Sequence, residues 1–223
     1  MCGRYNLTAS SEAIVEHFQL QREVLSQPSY NIAPAQKILN IVELEDQSKK
    51  AVNLFWGLVP SWAKYSKNSA HLINARSETV REKPSFRSAF NHRRCLIPAT
   101  GFYEWLKTDS GKQAFHIQRT DQQLFAFAGL WEQWQHETET LYSCTIITTA
   151  ATELMKPIHD RMPVIIPTDH YHSWLDKDAD ADQVFALLNN QAYTQMTATP
   201  VSDWVNNPRH DDERCISPFK LNR

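Results

Sequence analysis

The chain opens with a cysteine directly behind the initiator methionine, in the order Met1-Cys2-Gly3-Arg4. Cells generally remove the methionine when the next residue is this small, so we expect Cys2 to carry a free α-amine beside its thiol. An α-amine has a pKa of about 7.7–8.0, against about 10.4 for lysine, so part of it is neutral near pH 7. A neutral amine attacks an aldehyde to give a Schiff base, and the neighbouring thiol can then close a thiazolidine ring. The alternative is an ordinary cysteine at an uncommitted terminus.

A single carboxylate, that of Glu104, lies in an otherwise apolar and aromatic run at residues 101–106. In a strand, Glu104 shares a face with Phe102 and Leu106, which predicts a buried side chain. Burial raises the pKa of a carboxyl group towards neutrality, and this suits a general acid or base. The alternative is an exposed glutamate on an edge strand.

An amide and a guanidinium, those of Asn74 and Arg76, lie two residues apart. An extended backbone places both side chains on one face, where the amide could orient a reacting group and the guanidinium could hold a phosphate. The alternative is that Asn74 caps a turn while Arg76 pairs with Glu78.

Three ionisable residues, His159, Asp160 and Arg161, lie between Pro157 and Pro163. The prolines restrict the backbone and predict a defined loop. Histidine can transfer protons near pH 7. Asp160 could orient His159 or pair with Arg161, and Arg161 could contact a phosphate. No pair of histidines has a convincing metal-ligand spacing, so we expect neither a metal nor another cofactor.

Basic residues concentrate between positions 64 and 94, with aromatic residues interleaved. The basic residues are Lys64, Lys67, Arg76, Arg81, Lys83, Arg87, Arg93 and Arg94, and the aromatic ones are Trp56, Trp62, Tyr65 and Phe86. Cations for phosphates and flat rings for bases are what binding of single-stranded nucleic acid requires. The alternative is a solvated charged face over an aromatic core.

The elements that must position these residues are mostly strands. Apolar patterns predict strands at residues 37–44, 51–56, 94–97, 102–106, 114–118, 124–130, 141–149 and 164–166. They predict a first helix, capped by Ser10 or Ser11, that includes Ile14, Val15 and Phe18, and further helices at 152–156, 169–175 and 181–189. We expect Asp169 to cap the third helix and Asp180 the fourth. The pattern predicts an α+β fold with a curled, barrel-like antiparallel sheet and peripheral helices. We expect a single domain over residues 1–223, with a flexible tail after about residue 205.

Composition excludes several classes of protein. The 223 residues are 42% hydrophobic and 22% charged, which is typical of a soluble globular domain. The net charge is −2, so any nucleic-acid binding must come from a local basic patch. The four cysteines form no C-x-x-C pair, and no signal peptide or membrane span is visible. We expect a cytoplasmic protein, or a nuclear one if the source is eukaryotic.

Eight short motifs occur in a fixed order along nearly the whole chain. They are MCGR at residues 1–4, YNIAP at 30–34, FWGLVPSW at 55–62, INARSE at 73–78, RCLIPA at 94–99, GFYEW at 101–105, ITTAA at 147–151 and IHDRMP at 158–163. This set closely resembles the SOS response-associated peptidase (SRAP) family, whose members cross-link themselves to abasic sites in single-stranded DNA. The resemblance covers about residues 1–203.

The resemblance implies a catalytic set of four residues. The amine of Cys2, exposed by removal of Met1, would attack the ring-opened aldehyde of an abasic deoxyribose, and its thiol would close the thiazolidine. Asn74 would position the sugar or the amine. Glu104 would act as acid and base in ring opening and Schiff-base formation, and His159 would assist proton transfer, including reversal.

The resemblance also implies a DNA-binding set. Phosphates would be held by Arg4, Arg76 and Arg161, and the DNA path would be shaped by Pro34, Trp62 and Trp105. The implied partner is single-stranded DNA that contains abasic sites, bound by a monomer without membrane or metal.

Two other functions stay open from the residues. In an N-terminal-nucleophile thiol peptidase or amidohydrolase, Cys2 would attack an amide with Glu104 or His159 as base. In a non-covalent binder of single strands, Cys2 would be incidental.

Overall fold

The chain folds into thirteen strands and four α-helices within residues 2–64, 72–109, 111–189 and 195–219, the parts that the computed structural model describes. The strands are β1 Tyr5–Leu7, β2 Ser29–Ile32, β3 Lys37–Glu43, β4 Lys49–Trp56, β5 Asn74–Arg76, β6 Arg94–Ala99, β7 Gly101–Thr108, β8 Gly111–Arg119, β9 Phe125–His136, β10 Glu139–Ala150, β11 Arg161–Pro163, β12 Ile165–Ile166 and β13 Met196–Pro200. The helices are α1 Ser11–Phe18, α2 Arg87–His92, α3 Tyr171–Leu175 and α4 Ala181–Leu187. Lys67 and Tyr65 of the predicted basic and aromatic surface lie outside the described residues.

Five strands close into a barrel in the order β3, β4, β10, β9, β6 and back to β3. The β4–β10 pair is parallel and the other four pairs are antiparallel. All six residues of β6 are buried, as its apolar sequence predicts for a strand covered on both faces. The prediction of an α+β fold around a curled, barrel-like sheet is therefore confirmed.

A second, antiparallel sheet covers the barrel in the order β13, β8, β7, β1, β2. Its strand β1 is anchored through Tyr5, which is fully buried and packs edge-on against Trp56 and Phe127, with ring centroids 5.5 and 5.7 Å apart. Phe102 of β7 packs against Phe127 in the same way. The aromatic contacts between the sheets thus hold β1 and the residues before it in place.

The helices lie outside the barrel. Ser10 caps α1 by accepting a hydrogen bond from the amide of Ala13, and the carboxylate of Asp180 caps α4 as predicted. Two predictions for this part of the chain are wrong. Residues 152–156 form turns and no helix, and Asp169 lies in the 3-10 helix Thr168–His170 that precedes α3, so it does not cap α3.

The segment after residue 205, for which we expected flexibility, makes specific hydrogen bonds to β2. The Asn31 side-chain amide donates to the carbonyls of Asn207, at 3.1 Å, and His210, at 2.7 Å. The carboxylate of Asp211 accepts from the main-chain amide of Asn31 at 3.0 Å. Among the described residues, no helix has the length and apolar character that crossing a membrane needs.

Candidate active site

Four pieces of chain supply the predicted catalytic residues. The amide of Tyr103 in β7 donates to the carbonyl of Arg4, so the pairing of β1 with β7 extends towards Cys2 and lies close to Glu104. The other two pieces flank the end of β10, where Thr148 pairs with Arg76 of β5 on one edge and with Pro163 of β11 on the other. The strand that begins with Asn74 and the loop that carries His159 therefore lie on either side of β10.

Cys2 is fully buried, and its main chain is fixed by Asn74. The side-chain amide of Asn74 donates a 2.8 Å hydrogen bond to the carbonyl of Cys2. The other polar atom of that side chain, Oδ1 of Asn74, is buried and has no hydrogen-bond partner among the described residues. A buried acceptor without a donor is costly, so this oxygen is prepared to accept from an N–H or O–H group.

Glu104 is 3% exposed, and its burial raises the pKa of the carboxyl group above the ordinary range. The electrostatic interaction with His159 acts on the same carboxyl group in the opposite direction and lowers its pKa. Burial also raises the pKa of the Cys2 thiol, and the charge of Glu104 raises it further. These interactions bring Cys2, Glu104 and His159 into one site, with a thiol that stays protonated at neutral pH.

His159 lies at the edge of this site, with 30% of its side chain exposed. Its Nδ1 accepts a 2.9 Å hydrogen bond from the main-chain amide of Arg161, and this favours the neutral tautomer with the proton on Nε2. An oxygen of Asp160 lies 2.9 Å from the same Nδ1. The loop thus places a main-chain donor and a carboxylate at one nitrogen of His159.

The guanidinium of Arg161 is paired with Glu78 through both of its terminal nitrogens. The Nη1–Oε1 distance is 2.5 Å and the Nη2–Oε2 distance is 3.0 Å. The expected alternative, a pair between Arg76 and Glu78, is wrong, because Arg76 is exposed and Glu78 binds Arg161. Asn74 likewise begins strand β5 and does not cap a turn.

Arg4 and Trp105 are held by the C-terminal segment. Nη1 of Arg4 donates to Oδ1 of Asn31 at 2.8 Å and to the carbonyl of Val205 at 2.9 Å. The guanidinium carbon of Arg4 lies 5.9 Å from the ring centroid of Trp105. The indole nitrogen of Trp105 donates to Asn206 at 2.7 Å. Burial lowers the pKa of Arg4 from the usual range of a guanidinium.

Some residues of the predicted basic and aromatic surface are exposed in the structure, and others are buried. Trp62 is 65% exposed, Arg76 is exposed, and Pro34 is half-buried between β2 and β3. Other members of the predicted surface serve the fold: Trp56, Phe86 and Arg94 are buried, Arg81 pairs with Asp182, and Arg93 pairs with Glu132. The alternative of an aromatic core is therefore correct for Trp56 and Phe86, whereas Arg94 is itself buried and belongs neither to a DNA-binding surface nor to a solvated charged face.

Sequence reasoning missed two residues that hold the site together, Glu78 and Asn31. The sequence indicates Glu78 only as a possible partner of the nearby Arg76, whereas in the structure it binds Arg161, which lies 83 positions further along the chain. Asn31 appears in the sequence only as part of the YNIAP motif, whereas its side chain contacts Arg4 and the C-terminal segment. Within the part of the chain that the structure describes, no group of three histidine, cysteine or acidic residues could hold a metal ion.

The fold and site together define a β-barrel protein whose buried Cys2 lies beside a carboxyl group and is held by an amide, with a histidine at the edge of the site. Comparison with known families identifies its relatives: the chain belongs to the SOS response associated peptidase (SRAP) family, whose model matches residues 1–208.

Curated relatives cover most of the chain. It is 44% identical to the abasic site processing protein YoaM of Bacillus subtilis over 222 residues, which is 97% of each chain. It is 34% identical to the abasic site processing protein HMCES of Xenopus tropicalis, over 87% of this chain and 67% of that one. A crystal structure of a protein from Bacteroides thetaiotaomicron matches 98% of this chain and 100% of that one with a TM-score of 0.85. At 23% identity, that likeness supports the fold alone.

Proposed function

We propose that this protein recognises abasic sites in single-stranded DNA and joins itself to them covalently through Cys2. The observation that carries the proposal is the placement of Cys2, buried beside Glu104 with its carbonyl bound by Asn74. Relatives that share up to 44% of the sequence over nearly the whole chain are named abasic site processing proteins, which supports the same substrate.

The proposed reaction begins with removal of Met1, which frees the α-amine of Cys2. The amine adds to the C1′ aldehyde of the ring-opened deoxyribose, and loss of one water gives a Schiff base. The thiol then adds across the C=N bond, so that sulfur bonds to C1′ and the thiol proton passes to nitrogen. A Schiff base promotes strand cleavage by β-elimination, whereas the thiazolidine occupies C1′ and protects the strand.

Glu104 is the proposed acid and base of this reaction. Its raised pKa supports this role, because a carboxyl group that holds a proton nearer to neutral pH can deliver it to the departing hydroxyl group. The unpaired Oδ1 of Asn74 supports a role in holding the amine or the sugar, since either group can donate to it. His159, which contacts a donor and a carboxylate at one nitrogen, is suited to carry protons in closure and reversal.

The proposed DNA path runs over the exposed Trp62 and Arg76, which can stack on a base and bind a phosphate. Arg4, Arg161, Pro34 and Trp105 complete the proposed path. The first two contribute the positive charge of their guanidinium groups to this path. We further propose that the protein acts as a monomer in the compartment that holds the DNA, which is the cytoplasm of a bacterium or the nucleus of a eukaryote.

The proposal is tested by mixing the Met-trimmed protein with a single-stranded oligonucleotide that carries one abasic site, followed by a denaturing gel. We expect a heat-stable shifted band that needs both the abasic site and Cys2, and that Cys2→Ser abolishes. Absence of the band, with Cys2 confirmed as the N-terminal residue by mass spectrometry, would overturn the proposal and favour the thiol peptidase. Turnover of peptides in trans would identify that alternative.

A further inference from the structure

Glu78 spans the end of β10 and links its two edges. It belongs to the 3-10 helix Ser77–Thr79, which directly follows β5. Its carboxylate binds Arg161 at the start of β11 in a two-point ion pair. Nη2 of Arg161 also donates to the carbonyl of Thr148 in β10, at 2.6 Å. One guanidinium therefore joins β10, β11 and the residues that follow β5.

Both ends of this ion pair lie close in sequence to a residue of the proposed catalytic set. Glu78 is four residues after Asn74, and Arg161 is two residues after His159. The side chain of Arg161 is 14% exposed, so the pair is partly shielded from water on that side. A planar guanidinium that is bound at two points also fixes the orientation of the two side chains relative to each other, which a single-point ion pair does not.

The main chain of Arg161 connects the ion pair to His159. The Arg161 amide donates to Nδ1 of His159, so the position of Arg161 decides whether that bond can form. The carboxylate of Asp160, which is 86% exposed, lies at the same nitrogen and competes with the amide. Loosening of Arg161 would therefore favour Asp160 and change the tautomer and direction of the imidazole.

We propose that Glu78 is a positioning residue for the cross-linking reaction, which clamps the loop of His159 to the segment of Asn74 through Arg161. This inference rests on the proposed function for its catalytic consequence. The carboxylate of Glu78 is bound to Arg161, so we expect it to act through the geometry of His159 and Asn74.

The first test uses the protein without DNA and is independent of the proposed function. The tautomer of His159 is read from the 15N resonances of its imidazole in the wild type, in Glu78→Gln and in Glu82→Gln. Glu82 is an exposed matched control, four residues further along the chain and of the same charge. We expect the Nε2–H tautomer in the wild type and the control, and a mixture in Glu78→Gln. Identical spectra of all three proteins would overturn the clamp.

The second test measures cross-linking rates against the concentration of abasic single-stranded DNA. We expect Glu78→Gln to lower the rate at saturating DNA by about fivefold, because small displacements of catalytic groups slow a reaction, while the half-saturating concentration stays unchanged. In an Arg161→Gln background, Glu78→Gln should have no further effect, since the clamp is already open. Glu82→Gln should behave as the wild type.

Two outcomes would contradict the proposal. If Glu78→Gln tightened DNA binding and steepened its salt dependence without slowing the saturated rate, Glu78 would merely neutralise Arg161. If the losses of the two single variants added in the double variant, Glu78 would act independently of Arg161. A wild type that forms no cross-link would instead defeat the proposed function, and the tautomer measurement would still decide the clamp.

Discussion

At the scale of the residue, the central feature is a thiol and a carboxyl group buried together. Burial raises the pKa of both Cys2 and Glu104, and the charge of Glu104 raises the pKa of the Cys2 thiol further. The site therefore favours a neutral thiol and a carboxyl group that can hold a proton. This combination fits acid-assisted addition to an aldehyde, where the thiol adds after the amine has reacted.

Replacement of Cys2 by alanine separates the two proposed steps. Cys2→Ala keeps the α-amine after removal of Met1 but has no thiol to close the ring. We expect this variant to stop at the Schiff base and to cleave the abasic strand by β-elimination, which a sequencing gel of labelled DNA detects. Intact DNA in the presence of normal binding would count against Schiff-base chemistry.

Replacement of Glu104 by glutamine removes the proposed acid and base without changing its shape. We expect the saturated cross-linking rate to fall by about a hundredfold, within the range for general acid–base catalysis. Affinity for DNA and the melting temperature should stay close to the wild type. The limb of the pH–rate profile that comes from Glu104 should disappear. An unchanged pH profile would assign the proton transfer to another group.

At the scale of the element, two short strands next to the site, β1 and β5, are not predicted by the apolar pattern of the sequence. The barrel strands β6 and β9 follow from long apolar runs, which only buried strands satisfy. Strands β1 and β5 have three residues each and gain their structure from pairing with β7 and β10, which no local pattern reveals. Residues 152–156 show the opposite error. Their side chains suit a helix, but Pro157 disfavours a helical conformation at the residue before it, and the segment forms turns instead.

A buried polar network fixes β1 within its sheet. Asn6 donates to the hydroxyl of Thr100 at 2.9 Å, so its Oδ1 must accept from Nε2 of His116, also at 2.9 Å. His116 is 3% exposed, and its burial lowers its pKa to about 4. Gly101 lies against this ring, since an added Cβ would come within 2.2 Å of Nε2. Burial therefore favours the neutral imidazole, which donates from Nε2 to Asn6.

This network predicts an acid-dependent loss of stability. The unfolded chain binds a proton at His116 below a pH of about 6.5, whereas the folded protein binds it only near pH 4. Stability is therefore complete above pH 6.5 and falls as the pH drops towards 4, by roughly 3 kcal/mol.

Denaturant unfolding of the wild type and His116→Gln at several pH values measures this contribution, because the other titrating groups cancel in the difference. We expect the stability advantage of the wild type over the variant to shrink by that amount between pH 7 and pH 4. A difference that is constant with pH would show that His116 does not titrate in this window.

At the scale of the whole molecule, the fold decides which basic residues are buried and which are exposed, and the density of basic residues along the chain does not. Of the basic residues between positions 64 and 94, Arg94 donates to the carbonyls of Phe90 and Trp174 in the interior, while Arg76 is exposed. The density of basic residues along the sequence could not separate these roles, because Arg94 is held by carbonyl groups, one of them 80 positions away at Trp174. The eight ordered motifs, in contrast, identify the family correctly, since they sample the whole chain.

Arg76 should contribute one phosphate contact to DNA binding. We expect Arg76→Gln to weaken binding of single-stranded DNA at any sequence and to reduce the slope of log affinity against log salt by about 0.7. Fluorescence anisotropy at several salt concentrations measures this slope. Lys112→Gln, an exposed change at the β7–β8 hairpin, serves as the control. An equal reduction in both variants would indicate nonspecific attraction and no defined contact.

The most direct test of the central claim is an NMR spectrum of the adduct itself. An oligonucleotide labelled with 13C at C1′ of its abasic site is reacted with Met-trimmed protein that contains 15N-labelled cysteine. We expect a tetrahedral C1′ carbon with a one-bond coupling to nitrogen and a shift typical of a carbon that also bears sulfur. A planar imine carbon, or a tetrahedral carbon without coupling to nitrogen, would contradict a thiazolidine formed by the amine and thiol of Cys2.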